Sequence, residues 1–133
     1  MTVNFLAVSY QRFYYPRMSE SLKYKETLII DRSTRKIIWE SPKTKFRREY
    51  DFPDIEAMIV QKYVEVIQGR HGRSWEQNHF KIYFTLNVPG PPRRVPLYQG
   101  CNDAIAESLI TQIPKFLPVK IEHQQLSHRP EED

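Results

Sequence analysis

The residues of this chain best suited to chemistry gather in a basic loop, an aromatic-arginine segment and a lone thiol. The loop is Gly69-Arg70-His71-Gly72-Arg73-Ser74-Trp75-Glu76-Gln77-Asn78. Its two glycines free the backbone, Arg70, His71 and Arg73 can meet phosphate or carboxylate, and Trp75 can stack or anchor. Such a loop suits a protein partner, a lipid headgroup or single-stranded nucleic acid. It lacks the helix N-terminus and the Lys-Ser/Thr ending of a nucleotide-binding phosphate loop. The competing role is a plain hairpin connection with Trp75 folded back on the core. The segment Gln11-Arg12-Phe13-Tyr14-Tyr15-Pro16-Arg17 holds the side chains enriched at interface hot spots, with Arg12, Tyr14, Tyr15 and Arg17 as its candidate contacts. It serves equally well if Phe13 or Tyr14 closes one end of a barrel-like sheet. Arg93 and Arg94 form a further positive pair, as do Lys43, Lys45, Arg47 and Arg48. Charges of that kind ordinarily form wet faces and protect edge strands from aggregation.

Catalysis and metal binding find little support. Cys101 is the only cysteine, so neither an internal disulfide nor a cysteine-based zinc site can form. It sits just before a predicted helix, where a thiol pKa can fall. Linear spacing brings neither His71 nor His79 to it, and an inert thiol is expected. His71 and His79 are eight residues apart, and no histidine pair has the helical spacing of zinc ligands. No paired carboxylates stand out as acid and base. The expectation is a non-enzymatic protein with no catalytic residue, no metal and no cofactor.

The elements that must position these groups follow from periodicity. From Lys45 to Phe52, Phe46, Arg48, Tyr50 and Phe52 alternate with charged residues. From His79 to Val88, Phe80, Ile82, Phe84, Leu86 and Val88 form a wholly apolar face. Both predict antiparallel strands with one wet face. Val3 to Tyr10, Lys23 to Asp31 and Arg35 to Ser41 are further predicted strands, the last two joined by the polar turn Asp31-Arg32-Ser33-Thr34. Residues 55–68 carry a helical stripe between Asp54 and Gly69, but their β-branched content favours a long, bent strand. Val95 to Tyr98 is a short strand that Pro96 confines to an edge or a bulge. A helix capped by Asn102 should bury Ile105, Leu109, Ile113, Phe116 and Leu117. Pro114 should end that helix near Gln112 or kink it.

The whole is 133 residues with 20 Lys and Arg against 16 Asp and Glu, a net charge of +4. Residues 121–133 hold four acids and one base, leaving 19 bases and 12 acids ahead of them. The body is therefore more basic than the total, a balance that suits nucleic acid, anionic lipid or an acidic protein patch, although dispersed surface charge accounts for it too. With its few apolar residues, 122–133 is expected to be a disordered acidic tail behind a single domain over 1–121. No run approaches the roughly 18 uncharged apolar residues of a membrane span, and the first ten residues lack the features of a secretory signal. A cytoplasmic protein, not secreted and at most peripheral to a membrane, is expected.

About seven strands followed by an amphipathic helix make an α+β domain. That order resembles a pleckstrin-homology-like domain, a bent antiparallel sheet or partly open barrel closed by a C-terminal helix. The resemblance is most pointed in Asp54-Ile55-Glu56-Ala57-Met58-Ile59-Val60, in His79-Phe80-Lys81-Ile82-Tyr83-Phe84-Thr85-Leu86, in Arg93-Arg94-Val95-Pro96-Leu97 and in Phe116-Leu117-Pro118-Val119-Lys120-Ile121-Glu122. In these segments the chain is similar to the soluble part of the photosystem I assembly factor family. That family carries two transmembrane helices ahead of its soluble part, whereas this chain begins on a predicted strand. The resemblance implies an assembly or adaptor role near a membrane, through a protein partner, in photosynthetic complex assembly. The residues themselves leave open a phosphate-recognising role toward anionic lipid or, less favoured, nucleic acid.

Overall fold

Short runs of β-branched and aromatic residues, broken by Asp, Ser, Gly and Pro, produce eight strands and one long helix among the described residues. The computed structural model describes residues 5–12, 24–41 and 45–130. Strands β1 (Phe5–Arg12), β2 (Tyr24–Asp31), β3 (Lys36–Ser41) and β4 (Phe46–Asp51) form an antiparallel meander in that order. The turn between β2 and β3 closes as its polar residues predict. Asp31 Oδ1 accepts the Ser33 hydroxyl at 2.7 Å, the Ser33 amide at 2.9 Å and the Thr34 amide at 3.4 Å. These bonds, led by the Ser33 hydroxyl, hold the Asp31 carboxyl below its usual range.

The second sheet has the order β7-β6-β5-β8. Strand β5 (Ile55–Gln68) pairs antiparallel with β6 (Ser74–Leu86), and β6 pairs antiparallel with β7 (Arg94–Gly100). Residues 55–68 are thus strand, not helix. Met58 and Val60 enter the main core, while Ala57 and Ile59 pack with Tyr83 on the opposite side. Burial on both sides in strict alternation suits a strand. Pro96 lies on the edge strand β7, next to a register break between Ile82 and Tyr83, as a residue without an amide donor requires.

Helix α1 (Asp103–Phe116) starts where Asn102 accepts the Ile105 amide on its side chain at 3.1 Å. It continues through Pro114 to Phe116 rather than ending near Gln112. Its C-terminal end is held from the β2–β3 turn. Arg32 donates to the Lys115 carbonyl at 3.1 Å, and its guanidinium lies 5.3 Å from the Phe116 ring centre. Ile113 and Leu117 are buried and Leu109 and Phe116 pack against the core as expected, and the stripe departs from expectation only at Ile105. Ala106 is fully buried and Ile105 is 45 % exposed. The small Ala106 lets the helix axis approach the sheets, and the β-branched Ile105 turns outward.

Side chains from both sheets and from α1 meet in one core. Leu28, Ile30 and Ile37 face Met58, Ile82, Phe84 and Leu97, and Ile113 and Leu117 of α1 complete the layer. Each such side chain contributes roughly 1.5–3 kcal/mol on burial.

Two expectations need correction. The first concerns the wet face of the strand over residues 79–88. Lys81 and Tyr83 are buried, at 5 % and 9 % exposure. The Arg94 guanidinium stacks 4.9 Å from the Tyr83 ring centre, and Gln61 donates to the Tyr83 hydroxyl at 3.4 Å. The face turned away from the main core is therefore covered as well. The second concerns the acidic tail. Lys120–Gln125 is strand β8, parallel to β5 from Ala57↔Lys120 to Lys62↔Gln125. Ile121 packs partly into the core, and Gln61 donates to Gln124 across the pair at 3.0 Å. The Leu126 amide then bonds the Lys62 carbonyl at 2.8 Å. Order persists to Pro130, and backbone pairing replaces the apolar content that the segment lacks. Residues 131–133 lie outside the described ones.

A basic hairpin tip and a cysteine-histidine-glutamate row

The long β5–β6 pair carries the basic loop at its far end. Pairing runs without a break from Ala57↔Thr85 to Gln68↔Ser74. The chain then turns through Gly69–Arg73, where the Gly69 amide bonds the Arg73 carbonyl at 2.7 Å and the Arg73 amide bonds the Arg70 carbonyl at 3.4 Å. His71 and Gly72 both take left-handed backbone angles, with φ 62° and 72°. Gly72 is the residue type that such an angle favours. Trp75 lies over Gly69, and a Cβ on Gly69 would come 2.7 Å from Trp75 Cζ3. The ring thus folds back on its own loop, not on the core, and stays 53 % exposed. Arg70, His71 and Arg73 are exposed beside it and make no side-chain hydrogen bond or ion pair with another described residue.

The other sequence-predicted residues do not join this group. Arg94 pairs with Thr85, ten residues along β6 from Trp75, a separation of about 33 Å at strand rise. Its guanidinium belongs to Tyr83, and Arg93 opens the same strand end, its carbonyl accepting the Leu86 amide at 3.1 Å. The backbone of Arg12 pairs with Tyr24 at the end of β1. Tyr14, Tyr15 and Arg17 lie outside the described residues, as does Lys43. Lys45 takes a left-handed angle, φ 55°, just ahead of β4. On β4 itself, an edge strand, Arg47 meets Glu40 at 3.8 Å and Glu49 at 3.6 Å, while Arg48 covers Phe46 at 5.1 Å. Those cations are surface pairs of the kind that shield an edge.

A second constellation sits midway along the same hairpin, on the face turned from the main core. Register places His79 opposite Tyr63 and Phe80 opposite Gly100, so that Cys101 follows β7 directly beside His79. Cys101 Sγ is 3.2 Å from His79 Nδ1. His79 Nε2 lies 3.5 Å from Glu65 Oε1, within ion-pair range but without the alignment of a hydrogen bond. The Arg129 guanidinium reaches Glu65 Oε2 at 2.7 Å. Tyr63 flanks the imidazole with its ring centre 5.8 Å away. Arg129, then His79, hold the Glu65 carboxyl below its ordinary value, so it is ionised at neutral pH. Burial pushes the Cys101 thiol up, although the residue as a whole is exposed, and Arg129 acts weakly in the opposite direction. At rest the sulfur is therefore a thiol, with His79 Nδ1 within hydrogen-bond distance of it.

Sequence reasoning considered Cys101 with His71 or His79 but could not show their approach in space, and it missed Glu65 and Arg129. Only the hairpin register could have shown the grouping, because residues 65, 79, 101 and 129 share no local pattern. Among the described residues no group of His, Cys, Asp and Glu is arranged to hold a metal ion. Comparison with family models, with curated proteins and with solved structures finds no match to this chain.

Proposed function

We propose that this protein is a non-enzymatic binding or assembly module that captures a protein partner with the tip of the β5–β6 hairpin. The observation that carries this reading is the joint exposure of Trp75, Arg70, His71 and Arg73 at the end of a rigid two-stranded ribbon. Trp and Arg are the side chains most enriched where interfaces concentrate their energy. Trp75 is 53 % exposed. A Trp side chain buries up to about 250 Å², so roughly 130 Å² of ring remains to be covered, worth about 3 kcal/mol at most. Arg70 and Arg73 would steer an acidic surface onto that anchor and fix its orientation.

The order of the elements supports a pleckstrin-homology-like design. Two antiparallel meanders, β1–β4 and β5–β7, are followed by a helix that closes the core, and β8 is an addition to that plan. The assembly role, including assembly of photosynthetic complexes, rests on the sequence resemblance and on this order together. Among the described residues no helix is long and apolar enough to cross a membrane. A membrane-peripheral setting would therefore come through the cationic tip. A second reading, recognition of phosphate on lipid or nucleic acid, is favoured by three basic side chains around one left-handed turn with no acid among the described residues engaging them.

The test is the triple variant Arg70→Ala, Arg73→Ala, Trp75→Ala in affinity capture from native lysate, beside the wild type. Partner recovery should drop sharply while the melting temperature stays within a few degrees, as surface substitutions do. Equal recovery by both proteins removes the tip from the account. Titration with anionic vesicles and oligonucleotides at two salt concentrations isolates the phosphate reading, since each phosphate contact adds a steep salt dependence.

A further inference from the structure

The cysteine-histidine-glutamate row has no part in the hairpin-tip reading. His79 lies four residues along β6 from Trp75, a separation of about 13 Å. The row sets a base against the nucleophile and a carboxylate within ion-pair range of the base, the grouping from which an activated nucleophile is built. The ionised Glu65 favours the imidazole tautomer with its proton on Nε2, and this leaves the Nδ1 lone pair facing Cys101 Sγ. Beside the sulfur is an open pocket of about 260 Å³ lined by His79, Phe80, Gln99, Cys101, Arg129 and Pro130. Its walls are part apolar, from Phe80 and Pro130, and part polar, from Gln99.

We propose that Cys101 is a nucleophilic thiol that accepts an acyl group from a thioester donor, with His79 as its proton acceptor and Glu65 positioning His79. Sγ attacks the thioester carbonyl carbon as its proton passes to His79 Nδ1, and the carbonyl π electrons move to oxygen. Collapse of the tetrahedral species breaks the donor's carbon–sulfur bond. The departing thiolate takes the proton from His79, leaving an acyl group on Cys101 and a free thiol. No oxidant or other reactant is needed. Disulfide chemistry is the less suitable alternative, because the chain contains no second cysteine to resolve a mixed disulfide. A thiol pushed up by burial also fits proton removal during attack better than a thiolate formed in advance. Besides His79, the charged groups facing the thiol are Glu65 from β5, Arg129 from the C-terminal segment and Asp103 from α1.

The test uses the full chain and S-phenyl thioacetate as donor, following thiophenol release together with the acetyl group on Cys101 by mass spectrometry. Wild type should react at least about 10²-fold faster than N-acetylcysteine at the same pH, the lower range of general-base catalysis. Cys101→Ser should not be labelled. His79→Asn should lower the rate by about 10²-fold. Glu65→Gln should lower the maximal rate without changing the donor concentration at half-maximum, whereas Glu65→Asp should recover part of it. A wild-type rate no greater than that of N-acetylcysteine overturns the proposal, and that comparison needs no variant to fold. Equal rates for wild type and a folded His79→Asn overturn it as well. A Glu65→Asp variant no faster than Glu65→Gln removes Glu65 as the positioning residue.

Discussion

Ile121 offers the sharpest test of the C-terminal architecture. It lies on β8, paired with Met58 of β5, and packs partly into the main core. A fully buried Ile truncated to Ala costs about 2–5 kcal/mol, and partial burial reduces that to about 1–2 kcal/mol for Ile121→Ala. In a domain of this size the loss lowers the melting temperature by about 4–8 °C. Glu122→Ala, on the exposed neighbour, should stay within about 0.5 kcal/mol of wild type. Urea unfolding followed by circular dichroism reads both variants, and for Ile121→Ala the midpoint should move with the slope unchanged. Ending the chain after Val119 should cost more than Ile121→Ala, because the backbone pairing with β5 is lost along with the side chain. A stability for Ile121→Ala indistinguishable from that of Glu122→Ala would show that 120–125 lies outside the cooperative unit, and the second-sheet topology would be refuted with it.

Three further outcomes follow from local geometry. Gly69→Ala places a Cβ 2.7 Å from the Trp75 ring, so the ring must swing away; acrylamide quenching of tryptophan fluorescence should rise with little change in far-ultraviolet dichroism. Arg129 holds the Glu65 carboxyl below its ordinary value, so their contact is present above the usual carboxylate range and lost as pH falls through the lowered value. Amide protection across 126–130, taken relative to the intrinsic exchange rate at each pH, should therefore fall on acidification, and in Glu65→Gln it should be low at every pH. Asn102→Ala removes the side-chain cap on the Ile105 amide and should cost about 1 kcal/mol in urea unfolding.

What was legible in the sequence is what neighbouring residues decide among themselves. Period-two alternation located β4 and β6, Val, Ile, Leu and aromatic content located β1 to β3, and Asp31, Ser33 and Thr34 specified their own turn. The β-branched residues of 55–68 outweighed the helical stripe, and Pro96 could only sit at an edge or bulge. Tertiary context decided the remainder. Lys120–Gln125 has too few apolar residues to announce a strand, and it becomes one because β5, more than fifty residues earlier, offers it a free edge. Lys81 and Tyr83 alternate like solvent-facing residues, yet both are buried, and the guanidinium over Tyr83 comes from Arg94 on another strand. The expected stripe of α1 holds at Leu109, Ile113, Phe116 and Leu117 and fails only at its start, where the small Ala106 takes the inward place in preference to the bulkier Ile105.

The two candidate sites differ in the same way, and the difference bears on their chemistry. The hairpin tip is a contiguous run, so its arginines and tryptophan could be named from the sequence. Only their separation from Arg93 and Arg94 required the fold. The Cys101–His79–Glu65 row is assembled by register alone. Tyr63↔His79 sets which carboxylate lies beside the imidazole, and Phe80↔Gly100 sets which thiol does. A slip of one residue in either pairing would turn one member to the opposite face of the sheet and abolish the contact. The bulge on the β6–β7 pair falls between Ile82 and Tyr83, beyond His79, so the pairing beside Cys101 is regular. Arg129 fastens the other end of the row to a segment that follows β8. Weakening β8 should therefore disturb the thiol site while leaving the hairpin tip intact, which makes partner capture and thioester acylation separable functions of one ribbon. Ile121→Ala should slow acylation of Cys101 relative to wild type at a temperature where both are folded, with partner recovery by the tip unchanged. Parallel losses in both assays would mean that the ribbon behaves as a single unit and that the two sites are not independent.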